Sequence, residues 1–342
     1  MRDIWSSPET LTFLGAPRCE AKPEELRKAG ARAAFFGAPV DTQGFPQRPG
    51  TVLGPKACRE ASGQYTGAAT LEHGIDVRNY WGLVDCGDAA LAGASVQQLH
   101  QRIESKAEAI LAAGAIPIMC GGDHSIPIPG VRALARQTKA RIGYLHIDSH
   151  LDTAESLAGS TQTMASPISR VVEVPGVSPE NVVVYGARGL GNPPALVRRA
   201  TSLGVRVIPM SEIIDRGVDA TIEDALDTIW SNTDVVYVSL DNDALDPSCA
   251  PGTTAPEPGG ITAREILRIA MAVGSRGVAM MDIAELSPNF DPSAITARLD
   301  CHWVVYVLSA FAAAIKAGKV ASPAGRASKR AAAATQPARR SR

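Results

Sequence analysis

Three stretches carry most of the chemistry open to this chain. They are Gly121-Gly122-Asp123-His124-Ser125, His146-Ile147-Asp148-Ser149-His150-Leu151-Asp152 and Ser239-Leu240-Asp241-Asn242-Asp243. Each follows a short apolar run that reads as a buried strand. Carboxylates are hard oxygen donors and imidazoles borderline nitrogen donors. Together at several strand ends they are what a cluster of divalent cations requires. In an extended exit segment Asp148, His150 and Asp152 alternate, so all three side chains turn the same way, and Asp241 and Asp243 do likewise on another strand. His124, Asp148, His150, Asp152, Asp241 and Asp243 then suit two cations of five- or six-fold coordination sharing carboxylates. One tetrahedral zinc needs only about three or four such ligands. The oxygen-rich set favours Mn2+, with Ni2+ the main alternative. Without cations, acids crowded at one edge would repel one another. His146 stands one pleat before the set and reads as a strand or supporting residue, not a ligand.

A solitary Asp at a strand end is usually a cap or turn former. A solitary His, such as His73, His100 or His302, is usually structural or on the surface. The metal reading rests on convergence, not on any one residue. Two cations about 3.5–4 Å apart can bridge one water and deprotonate it near neutral pH. The resulting metal-bridging hydroxide is a nucleophile, so no serine or cysteine nucleophile is needed, and the chain has no G-x-S-x-G elbow.

The elements that must position these residues alternate in type. Short apolar runs rich in β-branched residues occupy Ala33–Gly37, Gly82–Cys86, Ala115–Cys120, Ile142–Ile147, Val182–Tyr185, Arg206–Pro209, Val235–Leu240 and Val278–Ile283. Helical periodicity marks Val96–Ala113, Ile126–Thr138, Pro193–Ser202, Thr221–Ser231, Ala263–Val273 and Ser293–Lys316. Continuously apolar strands have both faces covered. The pattern predicts an α/β fold: three layers, α/β/α, around a central, mostly parallel sheet of about eight strands. Ligands of such sheets bind beyond the carboxyl ends of the strands. Runs leading into His124, Asp148, Asp241 and Glu285 deliver their acids and imidazoles to that edge.

Bulk properties exclude several classes. The 342 residues are 45% hydrophobic and 20% charged. No uninterrupted apolar run reaches bilayer length, and Met1-Arg2-Asp3-Ile4-Trp5 lacks a signal pattern, so a cytoplasmic location is expected. The six cysteines are scattered without a CxxC pair. Cys86 and Cys120 read as small buried hydrophobes, while Cys249 sits in an expected active-site loop. Net charge is −1, and seven Lys or Arg with no acid fall in Lys319–Arg342, leaving about −8 on the rest. Residues 1–321 are expected to form one hydrolase domain. Residues 322–342 are expected to be a basic disordered tail, with neither a nucleic-acid nor a membrane partner.

Longer motifs surround these sites: Gly37-Ala38-Pro39-Val40-Asp41 with Arg48-Pro49-Gly50 and Gly54-Pro55, Asp85-Cys86-Gly87-Asp88, and Ser239 to Pro247 running on to Pro251-Gly252-Thr253 and Pro256-Glu257-Pro258-Gly259-Gly260. Asp282 with Glu285 and Pro288 completes the series. From about Ala33 to Ala310 the chain resembles the ureohydrolase (arginase/agmatinase) family, on its agmatinase-like side. The resemblance implies one metal on His124, Asp148, Asp152 and Asp241 and another on Asp148, His150, Asp241 and Asp243, with Asp148 and Asp241 bridging. It implies that Glu257 pairs with the substrate guanidinium, a match of a carboxylate to paired N–H groups. Asp152 or Asp243 would carry the proton to the leaving nitrogen, releasing urea and an amine. A trimer or hexamer is implied as well.

One loop departs from the family. A His is usual after the second motif, in a context like H-G-T-M. Here Ser160-Thr161-Gln162-Thr163-Met164 puts Thr161 in its place and Gln162 in the place of the Gly. No His lies between His150 and His302, which removes a group that titrates near neutrality. Thr161 and Gln162 offer uncharged hydrogen bonds to substrate instead. The change suits a small cationic guanidino substrate other than arginine: agmatine, guanidine, guanylurea or a biguanide. Family members acting on the last three kinds favour nickel. The alternative is a weak or inactive subunit that assembles with an active homologue.

Overall fold

Eight apolar runs form eight strands: β1 (Ala33–Ala38), β2 (Val84–Asp88), β3 (Ile116–Gly121), β4 (Ile142–Ile147), β5 (Val177–Ala187), β6 (Arg206–Pro209), β7 (Val235–Asp241) and β8 (Met280–Ala284). The computed structural model describes residues 11–42, 48–65, 67–90 and 93–321. The expected tail, 322–342, lies outside the described residues. All strands pair in parallel in the order β2-β1-β3-β8-β7-β4-β5-β6. Parallel neighbours need crossovers, and helices supply them on both faces. Strand ends differ from expectation by a residue or two, except that β5 begins at Val177 and its register shifts opposite Ile142 and Tyr144.

The helices are α1 (Pro23–Lys28), α2 (Gly54–Ser62), α3 (Val77–Trp81), α4 (Val96–Ala112), α5 (Pro127–Thr138), α6 (Pro167–Val171), α7 (Pro194–Leu203), α8 (Met210–Arg216), α9 (Val218–Trp230), α10 (Ala263–Arg276) and α11 (Ile295–Lys316). Sequence periodicity finds the six long ones. It misses α1, α2, α3, α6 and α8, which are too short to repeat an apolar stripe. Alternation along each strand builds one core per face. Phe35, Ile118, Leu145 and Val238 pack toward α2 and α8–α11. Phe36, Met119, Tyr144 and Tyr237 pack toward α4–α6. By length and composition α11 could cross a membrane, but 61% of its apolar window is buried inside the molecule. It is a core helix.

Strand order decides which residues meet. Strands β3, β8, β7 and β4 are neighbours at the centre of the sheet, so the residues at their carboxyl ends converge although they come from distant parts of the chain. Asp85 and Asp88, by contrast, hold the edge. Asp85 takes Arg59 in a buried pair at 2.8 Å and accepts the Phe13 and Gly87 N–H groups, and Asp88 takes Arg59 Nη1 at 2.6 Å. That motif is scaffold.

Asp300 of α11 is fully buried behind β7, and its Oδ2 accepts from Asn242 Nδ2 at 3.3 Å. Burial pushes its carboxyl up to about 8. The folded protein therefore keeps a proton that the unfolded chain, near an ordinary Asp pKa of about 3.9, has already lost. Stability from this group falls as pH rises between those two values and levels off above. Asp300→Asn is expected to lessen that fall. In chemical denaturation its stability relative to the parent should grow from pH 5 to pH 8; a difference independent of pH would contradict the buried-proton assignment.

Candidate metal centre

The β3 exit is set by Gly122. A Cβ there would lie 2.2 Å from Val40 O and 2.3 Å from Val40 N, so only glycine lets the segment leaving β1 cross. Gly122 N–H donates to Ala38 O at 3.0 Å and Asp123 N–H to Val40 O at 2.9 Å. Asp123 spends its carboxylate on Ser125 N–H, the Thr42 hydroxyl and Thr42 N–H. It forms the turn, and His124 is thrown inward.

His124 is 1% exposed. Its Nε2 lies 2.8 Å from Ser239 Oγ, and that hydroxyl donates to Asp282 Oδ1 at 2.8 Å. Ser239 must therefore accept from His124, so the ring carries a proton on Nε2 and its Nδ1 lone pair faces the site. Nδ1 meets Asp148 Oδ2 at 2.9 Å, Asp241 Oδ2 at 2.9 Å and Asp152 Oδ2 at 3.3 Å. A lone pair aimed at three carboxylate oxygens is repulsive unless a cation lies between them.

Asp148 is shared. Its Oδ2 faces His124 Nδ1 and, at 2.8 Å, His146 Nε2. Its Oδ1 accepts His150 N–H at 2.6 Å and lies 3.5 Å from His150 Nδ1. His150 Nδ1 is 3.0 Å from Asp243 Oδ2. Two donor groups result, each with ligand atoms within 4.8 Å of one another: His124, His146, Asp148 and Asp152, and then Asp148, His150 and Asp243. Asp241 joins the first through His124 and accepts Asp243 N–H at 2.8 Å through Oδ1. The six expected ligands thus come together, by a less regular path than simple alternation. Strand β7 stops at Asp241, and Asp243 sits on a 3-10 turn, Asn242–Ala244. Asp152 has φ 47°, a left-handed backbone that bends it back onto His124. Such a residue costs about 1–3 kcal/mol and persists where the surroundings enforce it.

His146 differs from expectation. Its ring stacks on His124 with centroids 4.4 Å apart, its Nε2 stands within the first group, and its Nδ1 lies 3.0 Å from the Tyr144 hydroxyl. Sequence offered a cue, an imidazole two residues before Asp148, but strand alternation alone could not tell the ligand face from the core.

The donor set fits divalent cations. His124 Nδ1, His146 Nε2 and Asp148 Oδ2 are buried and aimed at one another, yet none makes a well-formed hydrogen bond. Burial, with Asp243 and Asp148 beside it, raises the Asp241 carboxyl well above its ordinary range. Burial and Asp148 also raise Asp243, against the pull of His150. The Asp148 carboxyl, opposed by burial but facing His146, His124 and His150, is held well below. His124, despite its burial, rises well above because Asp241, Asp148 and Asp152 attract a proton onto it. A proton there is the poor substitute for a metal ion.

Other residues arrange the rim. Arg188, absent from the sequence-based set, donates to the backbone carbonyls of Asp243, Ala244, Leu245 and Glu257, pinning the β7 turn to the end of β5. Nothing in its sequence context marks it. Glu257 Oε1 accepts the N–H groups of Leu190 and Gly191 at 3.1 and 2.9 Å. Glu285, beyond β8, is 4% exposed with φ 62°; it accepts His124 N–H at 2.7 Å and the Thr254 hydroxyl. Burial and Asp123 push it up to about 8. Thr161 is exposed and Gln162 half-buried, on a loop above the β4 exit.

A parallel sheet with buried carboxylates and imidazoles converging on its carboxyl edge defines an α/β protein with a candidate metal centre. The chain belongs to the Arginase family, which it matches over residues 31–309. It is 32% identical over 277 residues to proclavaminate amidinohydrolase of Streptomyces clavuligerus, covering 81% of this chain and 87% of that protein. It is 32% identical over 273 residues to an agmatinase of Chromobacterium violaceum, covering 80% and 81%. The solved structure of the Streptomyces enzyme superposes with TM-score 0.79 at 30% identity, covering 89% of this chain and 97% of that one. Trypanosoma cruzi formiminoglutamase with Mn2+ gives 0.74 at 26% identity, covering 82% and 94%.

Because Asp148 serves both donor groups and Asp243 only one, their loss should differ. Asp148→Ala is expected to retain less than about one metal ion per chain, and Asp243→Ala about one, by elemental analysis after desalting. Equal metal content in the two variants would contradict a shared carboxylate.

Proposed function

We propose that this chain is a binuclear metal-dependent hydrolase that cleaves a C–N bond of a guanidino or amidino substrate, releasing urea and an amine. The observation that carries the reading is the pair of donor groups joined through Asp148 at the carboxyl edge of the sheet. His124, Asp148, His150, Asp152, Asp241 and Asp243 would hold two divalent ions, Mn2+ or Ni2+, which when bound supply Lewis acidity and a water of lowered pKa. Water adds to the amidinium carbon, the C–N bond to the amine breaks, and the second product is urea. The carboxylate of Asp152 or of Asp243 is the base that accepts the water's proton and returns it to the departing nitrogen. Glu257 is the partner for the planar cation: its Oε1 is fixed by Leu190 and Gly191, and among the described residues nothing donates to its Oε2. A carboxylate held that way matches paired N–H donors.

The substrate is a guanidino compound other than arginine, such as agmatine, guanidine, guanylurea or a biguanide. Support comes from the small, neutral segment Leu157–Ser160 and from the uncharged Thr161 and Gln162 beside it. A homo-oligomer in the cytoplasm, trimeric or hexameric, belongs to the same proposal. Thr161, where relatives carry an imidazole, favours a second reading: a weak subunit that supports an active homologue.

Urea release should be measured over guanidine, agmatine, guanidinobutyrate, arginine, guanylurea and biguanides with Mn2+ and with Ni2+. Turnover of at least one compound above arginine is expected. No urea from any, with both metals bound, would leave the second reading. Glu257→Gln should keep its metal and lose on the order of a hundredfold in kcat/KM. Glu285→Gln is the control at the buried rim carboxylate; a loss confined to that variant would move the cation contact from the half-buried Glu257 to Glu285.

A further inference from the structure

The altered loop is held by an imidazole from another element. His100 of α4 is 2% exposed. Its Nδ1 lies 2.9 Å from Gln162 Oε1 and its Nε2 3.0 Å from Ser125 Oγ. Ser125 adjoins His124 and is itself fully buried. Among the described residues its hydroxyl has no acceptor but His100. A buried O–H left without an acceptor is costly, so Ser125 donates to Nε2. The neutral ring then carries its proton on Nδ1, and that proton goes to Gln162 Oε1. Burial lowers His100 to about 4, which agrees with a neutral ring.

The consequence falls on Gln162. Its oxygen is consumed on the inner side, while among the described residues nothing accepts from its Nε2, and the residue is half-buried at the rim. The loop cannot easily swing away. Ala154 N–H bonds Ala165 O at 2.9 Å, Leu157 and Ser160 exchange two bonds, and Thr163 N–H donates to Ser166 Oγ at 3.0 Å.

We infer that Gln162, oriented by His100, is a specificity-determining residue that offers only N–H donors and so selects guanidino substrates whose far end is a hydrogen-bond acceptor over those ending in an ammonium. The inference rests on the hydrolase reading and narrows its substrates, placing ammonium-ended agmatine below the acceptor-ended guanidino compounds. Carboxylate, carbonyl and imine nitrogen ends satisfy the amide. An ammonium end meets donors with donors and is left unpaired. The Gln162 oxygen stands one imidazole and two hydrogen bonds from Ser125, the residue beside His124.

The test compares 4-guanidinobutyrate with agmatine, which match in length and differ in the end group, using the full-length metal-loaded protein. Both kcat/KM for urea release and Kd by calorimetry are read, with guanylurea as the carbonyl-ended arm. A preference of about tenfold or more for the carboxylate is expected. Gln162→Glu should reverse it, because it replaces donors by an anion. His100→Leu and Ser125→Ala free the amide to turn over and should narrow the ratio through KM and Kd, not kcat. His100→Gln, which retains a donor toward Oε1, should restore it. A parent protein that prefers agmatine, or a Gln162→Glu variant with an unchanged ratio, overturns the inference while leaving the hydrolase reading standing. Neither binding nor urea with any guanidino compound overturns the hydrolase reading itself.

Discussion

Everything at the carboxyl edge answers to one constraint: four aspartates and three imidazoles share a small, mostly buried volume. Carboxylates in such a place repel one another and resist ionisation together. Asp148 is held ionised by the rings around it, while Asp241 and Asp243 are driven toward their neutral forms. Protonated histidines can balance the charge only by pulling His124 well above its ordinary pKa. Divalent cations relieve the same repulsion without that distortion, and the Ser239–Asp282 relay has already turned the His124 lone pair toward them. An oriented ligand ring whose other nitrogen is tied to a hydroxyl and a carboxylate is the expected support for a metal site.

The rest of the fold exists in part to tolerate this. Four central strands bring the acids together, and their apolar faces bury the backbone on both sides. Strain is confined to the ends: Asp152 and Glu285 take left-handed backbones, and Gly122 allows the β1 exit to cross where a side chain could not fit. Arg188 then gathers four consecutive or nearby carbonyls so that the β7 turn cannot spread. Rigidity around a crowded charge cluster is what keeps donor atoms converging before any ligand arrives.

The rim is built on a different principle from the floor. Below, charge is dense and buried; above, Thr161 and Gln162 are neutral, and an imidazole from α4 reaches across to fix one of them. That arrangement changes the meaning of the loop's missing histidine. The ring that does sit nearby has both nitrogens occupied and is too well buried to exchange protons readily. It serves orientation, not acid–base work.

How much of this was written in the chain is a question of range. The eight strands, the long helices and the six carboxylates and imidazoles at strand ends were legible, because apolar periodicity and donor chemistry are local properties of sequence. The short helices α1, α2, α3, α6 and α8 were not, since one or two turns cannot display a period. Nor were the place of His146 within the donor group, the scaffold role of Asp85, the carbonyl clamp of Arg188 or the link from His100 to Gln162. Each depends on which residue of a distant element arrives opposite, and that is set by strand order, a left-handed residue at Asp152 and the fold of one loop. Sequence alone determined the fold class and the chemical kind of the site. Only the tertiary structure decided which lone pairs face one another, because a hydrogen-bond partner far along the chain leaves no mark on local pattern.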